Sequence, residues 1–183
     1  MKKTVFLTGG TGNMGWAGFQ ELYRKGKFNI RLLARDSKKN RKLLAPYISD
    51  PSVAIVWGDL TKYEDVLAGV TGSDYVLHVG GMVSPAADYY PEKTLKVNVS
   101  AAENVVKAIL AQPNASEIKA VYIGSVAQYG DRNPHITGEV RKTRRLQLNL
   151  TCTPCPRSVQ RRFLHQQVSL TGFLYVRQVF YIP

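Results

Sequence analysis

The chain has 183 residues and a mass of 20.4 kDa, with 44% apolar and 21% charged residues, which fits one globular domain and excludes a disulfide-stapled mini-protein or a disordered segment. Its 25 basic and 13 acidic residues leave a net charge of +12, unevenly spread: residues 1–132 carry 17 basic and 12 acidic side chains, whereas 133–183 carry eight basic ones and a single acid, Glu139. No apolar run approaches the roughly 20 residues of a membrane span. Lys2 and Lys3 lead only into Val5-Phe6-Leu7 before Thr8-Gly9-Gly10, too short for a signal-peptide core, so the expected location is cytoplasmic.

Up to Ser125, short apolar runs alternate with helical periods, as in a parallel sheet wound with crossover helices. The first strand is expected over residues 4–8 and a helix over 13–25, with Trp16, Phe19, Leu22 and Tyr23 on one face and Gly26 as its stop. Strands follow over 30–34 and 53–57, separated by helical residues 37–48. A short helix over 63–68 leads to a strand over 75–79. A long helix over 92–111 carries Leu95, Val99, Ala102, Val106 and Ile109 in one stripe, and a fifth strand spans 120–123. The expected fold class is α/β, a Rossmann-type doubly wound parallel sheet of five to six strands.

After Arg132 the rhythm fails. Arg141 to Arg145 have no apolar stripe, Pro154 and Pro156 interrupt the next stretch, and only 173–182 reads as strand. The expected division is a nucleotide-binding domain over 1–132 and a basic tail over 133–183 with no native fold of its own.

Thr8-Gly9-Gly10-Thr11-Gly12-Asn13-Met14-Gly15 follows a strand and opens a helix, placing Gly9, Gly12 and Gly15 in Gly-x-x-Gly-x-x-Gly spacing. Glycines there allow a tight turn, close approach of backbone to a diphosphate and close helix packing, while free N–H groups face the phosphates. This motif resembles the extended short-chain dehydrogenase/reductase family, the NAD-dependent epimerases and dehydratases. Gly58-Asp59-Leu60 is similar to the family segment whose Asp contacts adenine, and His78-Val79-Gly80-Gly81 to the loop beside the nicotinamide ribose. Asn98 matches the family's structural Asn on the long helix. Taken singly, Asp59 reads equally as a helix cap, His78 as a satisfied strand-end histidine and Asn98 as a solvated helix residue. Their order along the chain carries the resemblance, which implies a cofactor site at Gly9, Thr11, Gly12, Asn13, Met14, Gly15, Arg35, Asp59, Leu60, Val79, Gly80, Gly81 and Asn98.

The strand over 30–34 is followed by Arg35 and Asp36. A guanidinium accommodates a ribose 2′-phosphate where an acid would bond the 2′-hydroxyl. NADP is therefore expected over NAD, with Asp36 capping the next helix. Residues 121–130 resemble the family's fifth strand and the loop after it, which implies that Ser125 is the catalytic serine that hydrogen-bonds the substrate hydroxyl or carbonyl.

The family's acid/base pair, a Tyr with a Lys four residues on, should follow Ser125 by about two dozen residues, as the resemblance implies, and it is absent. Tyr129 is followed four on by Asn133, while Tyr89 and Lys93 precede Ser125 in a Pro-containing loop. Reading the codons after about residue 133 one base out of register permits Met-Tyr-Ala-Val-Ser-Lys across Thr151 to Arg157. The tail is thus expected to be a frameshifted and truncated translation. That would also explain its arginine excess. No metal site is expected, because Cys152 and Cys155 have no second cysteine pair or histidine cluster. Arg141, Lys142, Arg144 and Arg145 fit a solvated basic tail better than a nucleic-acid contact.

The resemblance implies hydride transfer on a nucleotide sugar or another hydroxyl/carbonyl substrate, with this chain inactive. A cofactor-holding regulator without catalysis is the alternative. Pairing of two copies through the helix over 92–111 is also implied, and loss of the second family helix would expose Val99, Val106 and Ile109.

Overall fold

In the computed structural model, which describes residues 2–123, five parallel strands form one sheet in the order β3-β2-β1-β4-β5. They are β1 (Lys3–Thr8), β2 (Phe28–Ala34), β3 (Val53–Trp57), β4 (Tyr75–His78) and β5 (Lys119–Tyr122). The first strand is central. Leu7 lies opposite Leu32 of β2 and Leu77 of β4, and the chain winds outward from β1 in both directions. This reversal between β1 and β4 leaves a crevice at the carboxyl ends of those strands, where open α/β sheets bind ligands. Ser125, the tail and the strand expected over 173–182 lie outside the described residues.

Helices cover both faces, so the strands are apolar on both sides rather than alternating. Phe6, Leu33, Val76 and Ala120 meet Val66 and Val70 of α3 (Tyr63–Val70) together with Val105, Ala108 and Ile109 of α5 (Pro91–Leu110). On the other face Leu7, Ile30, Leu32, Ala34 and Val53 enclose Phe19 of α1 (Asn13–Lys25) and Leu44 of α2 (Lys38–Leu44). Phe6 and Phe19 are fully buried, each such side chain stabilising the fold by about 2–3 kcal/mol before entropy is counted.

The first helix has the expected bounds, and Gly26 closes it in the left-handed region at φ 61°. The helix expected over 37–48 is shorter. Its α-helical part ends at Leu44, and Ala45–Tyr47 forms a 3-10 turn around Pro46, whose missing N–H and ring oppose a continuing α-helix. Ser37, not Asp36, caps that helix, its hydroxyl accepting the Asn40 N–H at 3.2 Å.

A short helix, α4 (Ala86–Tyr89), has no counterpart in the sequence pattern. The buried face of α5 also differs from the expected stripe. Leu95 is 45% exposed, whereas Thr94 and Asn98 are fully buried. Val106 and Ile109 are buried too, Ile109 against the sheet and Val106 against Tyr122, so the expected exposed line of Val99, Val106 and Ile109 does not exist.

The sheet and α3 meet at one unusually close point. A methyl group at Gly69 would lie 2.1 Å from Cε2 of the buried Phe6 ring. Beside it, Arg31 of β2 donates Nη1–H to the Gly69 carbonyl at 3.0 Å and also bonds the Thr71 carbonyl, satisfying the carbonyl end of α3. Gly69→Ala should therefore destabilise the chain by about 1–3 kcal/mol, read as a lower urea midpoint with an unchanged slope. An unchanged midpoint would contradict this packing.

Candidate functional site

Two loops press together at the reversal between β1 and β4. Gly9 turns the chain at φ 73°, and a methyl group on it would lie 2.5 Å from the Gly80 nitrogen. A methyl on Gly80 would in turn lie 2.5 Å from Cδ1 of Leu60 and 3.2 Å from Oγ1 of Thr8. Thr8 ties the strands together: its hydroxyl oxygen accepts the Gly80 N–H at 3.2 Å and lies 2.7 Å from Nδ1 of His78. His78 is buried at this junction, and Val79 donates its N–H to the Thr8 carbonyl at 3.3 Å.

The glycines before α1 have separate physical reasons. A methyl on Gly15 would sit 2.0 Å from the Gly9 carbonyl oxygen, and one on Gly10 would sit 2.1 Å from Cδ1 of Leu32. Gly10 therefore holds the loop against the sheet, a role sequence reasoning passed over because Gly10 lies outside the three-residue spacing. Gly12 is different. A methyl there would meet only the Gly9 carbonyl oxygen, at an ordinary 3.4 Å. Gly12 is the N-cap of α1, in extended conformation, with no side-chain cap and no acid in the first turn. Its carbonyl accepts the Trp16 N–H at 2.7 Å, so α1 starts at Gly12 and the amides of its first turn have no intrahelical partner. Thr11 is half-buried beside them, and Asn13 and Met14 are exposed.

Past β2 the charged groups sort into pairs. Both oxygens of Asp36 accept from Arg41, from Nε at 2.6 Å and Nη2 at 2.7 Å. The Arg41 guanidinium also lies 4.9 Å from the centre of the Trp57 ring. Arg35 is exposed and makes no ion pair among the described residues.

Asp59 follows β3. Its Oδ1 accepts the Thr61 N–H at 2.8 Å and hydroxyl at 2.7 Å, so it folds its own turn rather than capping α3, whose N-cap is Lys62. Burial raises the Asp59 carboxyl, but the Thr61 bonds and the charges of Arg35 and Lys62 outweigh it and hold the group below its usual range. Asp65 Oδ2 accepts the Asp59 N–H at 2.8 Å, with Asp65 so near Gly58 that a methyl there would lie 2.6 Å from Cγ. Asn104 of α5 donates to the Leu60 carbonyl at 2.9 Å, fixing the other side of the same loop.

Asn98 is not a solvated helix residue. Its Oδ1 accepts the Met82 N–H at 2.7 Å and its Nδ2 donates to the Met82 carbonyl at 2.9 Å, which clamps the loop of Gly80, exposed Gly81 and Met82. It acts as a positioning residue for that loop. Tyr89 ends α4 and Lys93 lies in the first turn of α5, so they do not share the single helix face that a Tyr/Lys pair needs. A second pair at that spacing, Tyr23 and Lys27, is divided by the Gly26 cap, and the Tyr23 hydroxyl donates to Asp50 at 2.7 Å. Ser125 lies outside the described residues. Among the described residues no group of His, Cys, Asp and Glu could hold a metal, and no helix is long and apolar enough to cross a membrane.

Comparison with known proteins agrees with this architecture. The UDP-glucose 4-epimerase of Rickettsia akari (strain Hartford) is 32% identical over 130 residues, which cover 66% of this chain and 38% of that protein. The chain thus spans well under half the length of this curated relative. Two solved structures share the fold. The UDP-glucose 4-epimerase of Thermus thermophilus, solved as a complex with NAD, has a TM-score of 0.71 at 19% identity, covering 96% of this chain and 53% of that one. The UDP-Glc/GlcNAc 4-epimerase of Campylobacter jejuni has a TM-score of 0.75 at 16% identity, covering 97% and 53% respectively. The model of the NAD dependent epimerase/dehydratase family matches residues 5–158, and this chain belongs to that family.

Proposed function

We propose that this chain holds the adenine dinucleotide of a nucleotide-sugar epimerase or dehydratase and that, in the sequence as it stands, it binds that cofactor without turning substrate over. The uncapped start of α1 behind Gly12 carries the reading. Packing accounts for Gly9, Gly10 and Gly15, but not for Gly12, where an added methyl would meet only the Gly9 carbonyl oxygen at ordinary contact distance. The residues present therefore fit a diphosphate lying against backbone amides. In this reading Gly12, Asn13, Met14 and Gly15 hold the diphosphate, with Thr11 at the edge. Arg35, Asp59 and Leu60 take the adenosine, and Val79, Gly80 and Gly81 line the nicotinamide side, supported from behind by Asn98. When bound, the nicotinamide supplies a hydride acceptor and donor at its C4.

NADP is preferred to NAD, because Arg35 is exposed and unpaired among the described residues while Asp36 is already engaged by Arg41. The names of the Rickettsia akari relative and the Campylobacter jejuni structure support a nucleotide-sugar substrate. Ser125 would hydrogen-bond its reacting hydroxyl or carbonyl. Pairing of two copies through α5 belongs to the same reading, with Leu95 as its exposed apolar side chain.

The acid/base step needs a Tyr to exchange the hydroxyl proton and a Lys to lower that phenol's pKa. No such pair follows Ser125 in this sequence. Residues 133–183 are read here as a shifted translation of the family's next segment, outside the nucleotide-binding domain over 1–132. The family match runs on to residue 158, so the coding DNA decides where the frame changes. A non-catalytic NAD(P)-binding regulator is the second reading, favoured by the same missing pair, and a partner that binds only the cofactor-loaded chain would support it.

Gly12→Ser separates binding from folding. Serine is a good N-cap, so the variant should be as stable as the parent or a few tenths of a kcal/mol more so. Its affinity for the dinucleotide, measured by calorimetry, should nevertheless fall by roughly tenfold or more, since the hydroxyl occupies the amides that face the diphosphate. Unchanged affinity would reject the assigned site.

The purified 183-residue chain should form no C4 epimer from UDP-glucose with either cofactor, followed by chromatography of the sugar nucleotides, because epimerisation returns the hydride and leaves no net change in nicotinamide absorbance. Turnover would overturn the inactive reading, and coding DNA whose codons after residue 133 cannot yield a Tyr-x-x-x-Lys would remove its explanation.

A further inference from the structure

The acid nearest the end of β2 is Asp36, and the structure shows what occupies it. Arg41, one turn into α2, takes both carboxylate oxygens in a fork, with its Nε 2.6 Å and Nη2 2.7 Å away. The same guanidinium stands 4.9 Å from the centre of the Trp57 ring, at the end of β3. Trp57 pairs with Ala34, the last residue of β2, so the ring belongs to the strand end that carries Arg35 and Asp36. Asp36 remains ionised there, because the Arg41 hydrogen bonds and charge hold its carboxyl below the usual range.

We propose that Arg41 is a specificity-determining positioning residue: by taking both oxygens of the Asp36 carboxylate while its guanidinium lies over the Trp57 ring, it keeps that acid from the adenosine ribose and leaves Arg35 as the group that meets a 2′-phosphate. The inference rests on the dinucleotide reading above. Its physical content is that the residue type at a strand end does not by itself set cofactor choice. A carboxylate next to Arg35 would accept the ribose 2′-hydroxyl of NAD and repel the 2′-phosphate of NADP. The sequence contains that carboxylate, and a second arginine six residues after Arg35 cancels it.

Geometry supports positioning rather than stability as the role of this pair. Both side chains are about half exposed, and ion pairs so exposed contribute little to folding. The α2 helix is secured by other contacts. Ser37 caps it, Asn40 Nδ2 donates to the Arg35 carbonyl at 2.7 Å, and Leu44 is buried under the sheet. The Asn40 bond also fixes the backbone of Arg35 itself, so the two arginines are presented by one tightly folded corner.

Calorimetric titration of adenosine 2′,5′-bisphosphate against 5′-AMP, and of NADP against NAD, tests the proposal without any turnover. The parent chain should favour the 2′-phosphorylated member of each pair. Arg41→Ala should reduce that preference on the order of tenfold by freeing Asp36, and Asp36→Asn in the same chain should restore it. An unchanged preference in Arg41→Ala overturns the proposal and leaves the dinucleotide reading intact. Failure of Asp36→Asn to restore the preference also overturns it, since Arg41 would then be meeting the phosphate directly. A general loss of folding would weaken both members of each pair alike and leave their ratio unmoved, which counts against the proposal too. If the parent binds none of the four probes, the dinucleotide reading fails and this inference falls with it.

Discussion

The contact between Thr8 and the β4 loop is the constraint on which the rest depends. A hydroxyl in the middle of the sheet accepts the Gly80 N–H and meets the His78 ring, so the two strands on either side of the winding reversal end at a common level. The glycine after each strand then lets the loops touch backbone to backbone. A side chain at Gly9 or Gly80 would force the loops apart. Buried polar groups at such a place must be paired to be tolerated. Here the pairing is also what aligns the two loops.

That alignment propagates outward through amide clamps. Asn98 grips Met82, Asn104 grips the Leu60 carbonyl, and Asp65 grips the Asp59 amide. Each takes a loop at the carboxyl edge of the sheet and fixes it to a helix that is itself buried against Phe6, Val76 or Ile109. Loops are ordinarily the most variable part of such a domain. In this chain the loops facing the crevice are tied at defined backbone atoms, so their geometry is set by the core rather than by solvent. The α5 face shows the consequence: positions 94 and 98, where a simple apolar stripe would place leucines, carry buried Thr and Asn instead.

That trade explains what was legible in the sequence. The five strands and α1 could be read because apolar runs, the glycine turn and the Gly26 stop are local signals. The glycine loop and the Asp59 and Gly80 segments were legible as a family pattern in order. The rotation of the α5 face was not, because buried Thr94 bonds the Tyr90 carbonyl within its own first turn and buried Asn98 bonds Met82 in the loop after β4, partners that an apolar stripe does not reveal. Nor did the pattern reveal that Gly10 is a packing residue, which depends on Leu32 across the sheet. The pairing of Asp36 was equally hidden. Ser37 and Asp36 are both good caps by type, and in the fold the Ser37 hydroxyl takes the Asn40 N–H while Arg41 takes the Asp36 carboxylate.

The same corner shows how charge is used. Lys38 and Lys39 occupy the first turn of α2, which has no acid at all. Cations at the amino end of a helix oppose its dipole, so these residues are not there for the helix. With exposed Arg35, Lys42 and Lys62 they give the strand ends beyond β2 and β3 a positive surface, while Asp36 and Asp59 are each engaged by a neighbouring group. Asp36 and Asp59 stay ionised among these cations, and Glu64 and Asp65 open α3, so the corner is basic on balance rather than of one sign. The arginines past residue 140 add further to the net charge of the chain. Composition alone would have merged the two sets into one basic protein and pointed to nucleic acid. Their separation along the chain, 17 basic and 12 acidic residues over 1–132 against eight and one over 133–183, is what a whole-chain count hides.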